Sequence, residues 1–300
     1  MNKIDVYQQV TDRIICQLEQ GVIPWEKPWV GFCSSGAYNI ISKKRYSLLN
    51  ELLLPQPGPY ATYKQWSEKG GQVRKGEKGE TVVFWKWIEK EQEPDASAEE
   101  GDQEKEIKKI PYLKKYTVFH ISQVDGVDAE IPLGGVDPAA ECIAADQVLM
   151  GYISRESLDY HEIQSNEAYY NRILDKVIVP CRAQFHEIAE FYSTAFHECM
   201  HSTGHRNRLG RFKENAPMSF GDQDYSKEEL VAEIGAASIL NLLGLETEHS
   251  FRNNAAYIQS WLSQLKNDKR LIVSAAGKAE KAAKYFMGEH IPVEQKEEVK

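Results

Sequence analysis

The sequence predicts an α+β chain, an N-terminal α+β region followed by a mainly helical region with a small sheet. Three observations predict it. β-Branched and aromatic residues crowd into two stretches of the first half, 81–87 and 116–121. Apolar residues at helical spacing fill two long runs of the second half, 185–201 and 226–240. Between the halves, Ile131-Pro132-Leu133-Gly134-Gly135-Val136-Asp137-Pro138 clusters Pro and Gly ahead of a helix, as a domain boundary does. Three hundred residues suffice for two domains, each with its own core. The division falls at 1–131 and 138–290, with 291–300 as a tail.

The chain opens with an amphipathic helix, whose stripe is Tyr7, Val10, Ile14, Ile15 and Leu18 and whose end is Gly21. Pro24-Trp25-Glu26-Lys27-Pro28-Trp29 follows as an irregular segment, and residues 70–79 form a Gly-rich loop. The strands at 81–87 and 116–121 flank an acidic stretch, about 89–110, without apolar periodicity. That stretch reads as a disordered hairpin insertion within one domain. Past the boundary, residues 175–180 read as a strand whose edge could pair with an extended peptide. Ser202-Thr203-Gly204 ends the helix of 185–201, and a Ser226-x-x-Glu229 capping box opens that of 226–240.

Chemistry concentrates in those two helices. His197-Glu198-Cys199-Met200-His201 is an H-E-x-x-H motif, and residues four apart share a helix face, so both imidazoles can address one metal ion. Glu198 then stands where a carboxylate can take a proton from water. On the second helix, Glu229 and Glu233 also share a face amid small and apolar residues. Buried unpaired carboxylates are costly, and a cation removes the difficulty. Glu229 is the expected third ligand of a His2Glu zinc site, and Glu233 the acceptor that fixes the tautomer of a ligand His. The bland alternative is a solvated acidic face. The H-E-x-x-H-x-x-G-x-x-H spacing would need a His at Asn207, so that subclass is disfavoured. His205 is expected beside the site rather than on the metal, because Gly204 interrupts the helix.

Composition sets the bounds. Five scattered cysteines without a C-x-x-C pair argue against a disulfide framework and for a reducing cytoplasm. The start of the chain lacks a signal-peptide core, and no run of 18 apolar residues exists, so a cytoplasmic chain without membrane contact is expected. The net charge of −9 is segregated, at +4 over residues 1–87, −5 over 88–110 and −8 beyond. Such segregation suggests different partners for the parts.

Between residues 38 and 87, aromatic and basic side chains interleave. Stacking platforms beside backbone-tracking cations suit unpaired bases, so single-stranded DNA is a candidate partner. The residues singled out are Trp25, Trp29, Lys43, Arg45, Tyr46, Tyr63, Trp66, Arg74, Lys75, Lys78 and Trp85. The competing reading is that rings such as Trp25, Trp66 and Trp85 simply fill a core.

The chain also resembles the ArdC-type antirestriction proteins of conjugative elements. The resemblance rests on Thr11-Asp12-Arg13-Ile14-Ile15, Gly21-Val22-Ile23-Pro24-Trp25-Glu26-Lys27-Pro28-Trp29, the stretch 39–50, residues 70–79 and Val82-Val83-Phe84-Trp85-Lys86. In the second half it rests on the H-E-x-x-H motif with Ser202-Thr203-Gly204-His205, on Arg208-Leu209, and on residues 228–235. It implies an N-terminal single-stranded-DNA-binding domain, a C-terminal zincin-like metallopeptidase domain binding Zn2+, and protection of incoming DNA from restriction. Ser47-Leu48-Leu49 departs from the family's small, glycine-containing stretch. A host protein is the substrate class if the peptidase turns over. Two alternatives stand beside this reading. One is a DNA-binding shield with a non-catalytic zincin scaffold, and the other a metallopeptidase with an N-terminal protein-interaction domain.

Overall fold

An acidic cap starts the first helix. In the computed structural model, which describes residues 5–26, 36–91, 107–127, 138–212, 223–245 and 255–289, the Asp5 carboxylate accepts hydrogen bonds from Tyr7 N (3.0 Å) and Gln8 N (3.3 Å). Helix α1 (Val6–Glu19) follows and ends at Gly21, whose φ of +76° is one that glycine adopts without strain. Val10, Ile14 and Leu18, four apart, form its buried stripe.

Strand β1 (Ala37–Asn39), helix α2 (Leu48–Leu53), strand β2 (Gly58–Ala61) and helix α3 (Tyr63–Glu68) come next. Then come the short β3 (Gln72–Val73), the long hairpin β4 (Glu80–Glu91) and β5 (Ile107–His120), and β6 (Val124–Asp125). The main sheet has the order β1-β2-β5-β4, and β3 pairs with β6. The ladder between β4 and β5 is unbroken from Glu80↔Val118 to Glu91↔Ile107. Main-chain pairing therefore extends the hairpin into both ends of the acidic stretch, where disorder was expected. Residues 92–106 lie outside the described residues. β4 is an edge strand, and the buried Asn50 amide satisfies part of that edge. It donates to Val83 O (2.8 Å) and accepts from Val83 N (2.7 Å).

The second half contains α4 (Pro138–Glu156), β7 (Asp159–Ile163), β8 (Tyr169–Asn171), β9 (Lys176–Pro180), α5 (Ile188–Ser202), α6 (Gln223–Leu243), α7 (Ala255–Asn267) and α8 (Leu271–Met287). Its sheet has the order β7-β9-β8. The segment expected to offer a free edge is β9, and it lies in the middle, parallel to β7 and antiparallel to β8. Both of its edges are paired, so among the described residues the outer strands of this sheet are β7 and β8. Helix α6 begins three residues before Ser226, so the Ser-x-x-Glu pattern lies within its first turns rather than at its cap.

Separate cores were expected for the two halves, and the packing differs. Small clusters sit on the N-terminal sheets, around Tyr60 with Val82, and around Trp66 with Val73. Phe191, Phe196, Met200, Ala236 and Phe286 anchor another in the C-terminal half. A further core crosses between the halves. Val10, Ile14, Trp25, Leu49 and Val83 pack with Leu230, Ile234, Trp261 and Ile272. Trp25 and Trp261 meet edge-on with ring centroids 5.1 Å apart. The stripe of α1 thus finds its burial on the last helices, beside exposed pairs Lys266–Glu19 and Lys269–Asp5, both 2.7 Å.

Candidate metal centre

Helices α5 and α6 bring the chemical groups together because they can approach closely. At Gly235 a Cβ would stand 2.8 Å from Met200 Sδ, so glycine allows the contact that a larger residue would push apart. Ala232 and Ala236, both buried, flank it.

His197 and His201 on α5 meet Glu229 on α6. His197 Nε2 lies 2.9 Å from His201 Nε2 and 3.5 Å from Glu229 Oε2, and His201 Nε2 lies 3.3 Å from Glu229 Oε1. Donor atoms of these three residues all fall within 4.8 Å of one another. The outer ring nitrogens face carboxylates, with His197 Nδ1 3.3 Å from Glu233 Oε1 and His201 Nδ1 3.7 Å from Glu228 Oε1. With a metal bound, carboxylates in these positions would favour protons on the outer nitrogens and leave the Nε2 lone pairs for the ion. Burial works against a charge on His201, but Glu229 and Glu228 outweigh it and push its pKa up to about 10. Glu198, Glu228, Glu229 and Glu233 are all buried within these two helices. So many carboxylates call for positive charge, and two imidazoles with a carboxylate are a donor set that suits a divalent ion.

Glu228 went unnoticed in the sequence. Burial raises its pKa, yet hydrogen bonding with His201 and the charge of Arg211 hold it below the usual carboxylate range. The Arg211 guanidinium donates to both Glu228 oxygens, at 2.5 and 3.1 Å, and is itself fixed by Thr203 Oγ1 (2.7 Å) and Met200 O (2.9 Å). Only the doublet Glu228-Glu229 could have signalled the second acid. We expect Arg211→Ala to loosen Glu228 and weaken metal affinity by roughly tenfold, measured by competition with a chelating dye. Unchanged affinity would show that Glu228 does not orient His201.

His205 stands apart from the trio. The helix ends at Ser202, and His205 Nδ1 lies 3.9 Å from Asp175 Oδ2. Asp175 in turn accepts both guanidinium arms of Arg208, at 2.7 and 2.8 Å, and the Tyr170 hydroxyl at 2.8 Å. These bonds tie the β8–β9 turn to the loop behind the motif.

A cleft of about 490 Å³ opens beside the trio. Glu198, His201, Glu228 and Glu229 line one side, and Tyr169, Tyr170 and Asn171 of β8 line the other, with Phe212 and Tyr225 adding apolar wall. Strand β8, an outer strand of its sheet, therefore lines the cleft that holds the motif carboxylate.

The residues singled out for DNA are not gathered in one place. Trp25 and Trp66 are buried in different cores, and the Trp66 indole N–H donates to Phe119 O at 2.9 Å. Tyr46 is buried as well. Rings closed in a core cannot stack on bases, which corrects the sequence reading for all three. Trp29 lies outside the described residues. Arg74 is engaged by Glu77 (2.9 Å) and Asp125 (3.3 Å), and Arg45 by Glu51 (3.1 Å). Lys43, Tyr63, Lys75, Lys78 and Trp85 are exposed. Trp85 meets Tyr7 of α1 edge-on, at 6.2 Å between ring centroids. Among the described residues, no helix is long and apolar enough to cross a membrane.

Comparison with known proteins bears on both halves. Residues 4–119 match the family model of the N-terminal domain of anti-restriction factor ArdC. Residues 152–278 match that of zincin-like metallopeptidases, a class built around a divalent metal. The metal-free crystal structure of the antirestriction protein ArdC from plasmid R388 is 38% identical, with a TM-score of 0.74, covering 96% of this chain and 100% of that one. Its Mn(II)-bound form is 37% identical, with a TM-score of 0.70, covering 95% and 98%. Protein y4eC of Sinorhizobium fredii is 34% identical over 294 residues, which are 94% of this chain and 91% of that protein. Two Escherichia coli DNA primases named TraC are 33% and 32% identical, and the chain spans 27% and 20% of their lengths. A shared fold over the whole length, with both domain families in the same order, places this α+β chain in the ArdC family of antirestriction proteins.

Proposed function

We propose that this protein binds single-stranded DNA through its N-terminal half and hydrolyses a peptide bond of a protein substrate at a zinc site in its C-terminal half. The observation that carries the reading is the convergence of His197, His201 and Glu229 beside Glu198 in a cleft lined by an outer strand. His197, His201 and Glu229 would hold the zinc, with Glu233 and Glu228 orienting the two imidazoles. When bound, zinc would supply a Lewis acid that polarises the scissile carbonyl and acidifies water. Glu198 serves as general base, taking a proton from the attacking water and handing it to the departing amine. The edge of β8 offers main-chain donors and acceptors to an extended substrate, and the rings of Tyr169, Tyr170, Phe212 and Tyr225 favour apolar side chains there.

The match of residues 4–119 to the ArdC N-terminal domain supports the DNA half of the reading. Among the residues proposed from sequence, Lys43, Lys75, Lys78, Tyr63 and Trp85 keep the exposure that contact requires. Fluorescence titrations with single-stranded and duplex oligonucleotides test this half. Single strands should bind more tightly, with little sequence preference and a marked loss of affinity as salt rises. Equal affinity for duplex would sink it, and no affinity for either form would leave a metallopeptidase with a protein-interaction domain.

A further inference from the structure

Away from the metal cleft, one surface alternates rings and cations in strict order. Residues opposite one another in an antiparallel ladder point to the same face, and every second rung repeats that face. Three successive rungs of β4 and β5 on one face are Val82↔Tyr116, Phe84↔Lys114 and Lys86↔Tyr112. Each carries one aromatic ring, and two of them pair it with a lysine. Phe84, Tyr112 and Tyr116 are 45%, 40% and 37% exposed, and Lys86 and Lys114 are exposed beside them. On the opposite face Val83 and Leu113 are buried in the core shared with α1 and α2, and their rung partners Lys115 and Trp85 are exposed but engage α1 through Gln9 (3.0 Å) and Tyr7.

The rings form a braced row. Tyr60 and Tyr46 are buried, and ring centroids step outward from Tyr60 to Tyr46 (6.3 Å), to Phe84 (6.1 Å) and to Tyr116 (5.6 Å). Lys114 Nζ sits 4.9 Å from the centre of the Tyr116 ring. Glu80, the carboxylate at the near end of this face, is ion-paired with Arg13 at 2.5 Å. The face therefore offers π-surfaces and net positive charge together.

We propose that this face of the β4–β5 hairpin is the track for single-stranded DNA. Bases stack on Tyr116, Phe84 and Tyr112, and Lys86 and Lys114 neutralise the phosphates. The assignment rests on the DNA-binding reading above. Rungs of one face recur every ~6.8 Å, a step that one nucleotide of an unstacked strand can span. Duplex bases rise ~3.4 Å along each strand and hide their faces in the stack, so a duplex cannot serve successive rungs. Two copies of the chain meeting here would set lysine against lysine, which argues against self-association through this face.

The test is fluorescence anisotropy of a labelled oligothymidylate with the full-length protein. Phe84→Ala with Tyr116→Ala should weaken binding by roughly a hundredfold, about tenfold per ring. Lys86→Gln with Lys114→Gln should lower affinity and reduce the slope of log K against log salt by about 0.7 for each phosphate that is no longer neutralised. Met150→Ala, an exposed change on α4, should leave affinity within twofold. Thermal midpoints check that each variant is folded, and the lysine pair decides the matter if the ring pair is not. Wild-type binding with undiminished affinity and salt slope in the folded variants would overturn the track and leave the DNA reading intact. Failure of the wild type to bind any oligonucleotide would overturn both. Loss of a wild-type dimer in the ring variant, with DNA affinity unchanged, would give the face to a second copy.

Discussion

Purified protein should contain about one divalent ion per chain, and His197→Ala should remove it. His197 supplies one of three converging donors, and its ring spans the site between Glu229 at 3.5 Å and Glu233 at 3.3 Å. Its loss therefore takes away a ligand and the partner of two buried carboxylates at once. A bound ion also stabilises the fold by mass action, by about 2.7 kcal/mol when free metal stands at a hundred times the dissociation constant. The wild-type melting midpoint should rise with added zinc and fall with chelator, whereas the His197→Ala midpoint should respond to neither. Metal analysis by mass spectrometry together with calorimetry reads both effects. A His197→Ala protein that retains its ion in full would remove the trio from consideration.

Glu198→Gln should leave the metal in place and reduce hydrolysis by about 10²-fold or more. Glutamine keeps the shape and hydrogen-bonding reach of the side chain but cannot accept the proton from water. Glu198 is 2% exposed, lines the cleft beside His201 and is not among the three converging donors, so the ligand set survives the change. Release of new amino termini from an unfolded protein substrate, followed alongside metal content, separates loss of the base from loss of the ion. Undiminished turnover in Glu198→Gln would rule out this mechanism. Absence of turnover in both proteins, with metal bound and DNA binding intact, would favour the shield with a non-catalytic scaffold.

The parts of the site that depend on local geometry were legible in the chain. The four-residue spacing of His197 and His201 is a property of any helix, and so is the shared face of Glu229 and Glu233. Glu228 was not legible. Each residue turns a helix by about 100°, so Glu228 points elsewhere unless the partner helix wraps that side. What settles it is Arg211, which reaches back from the loop after α5 to grip Glu228. The sequence placed a strand at 175–180 as a candidate edge, but it showed neither β8, which lines the cleft, nor which strands lie outermost. Pairing partners are chosen across the sheet, and β9 has both edges taken.

The N-terminal half shows the same division more sharply. The crowding of β-branched and aromatic residues in 81–87 and 116–121 sufficed to predict two strands, and an amphipathic stripe sufficed for α1. Aromatic content pointed to stacking, yet a ring's identity says nothing of its burial. Trp25 closes against Trp261, 236 positions along the chain, and Trp66 beneath Phe119, contacts that no local pattern encodes. Conversely, Phe84 and Tyr116 become neighbours only because the hairpin register sets Val82 opposite Tyr116. The sequence by itself determined α1, the hairpin strands, the cores of the α5 and α6 helices and the shared helix face of His197 and His201, because these rest on residues close together in the chain. The tertiary structure alone decided which acids, rings and strand edges face the cleft or the solvent, because burial and pairing are made by residues far apart in the chain.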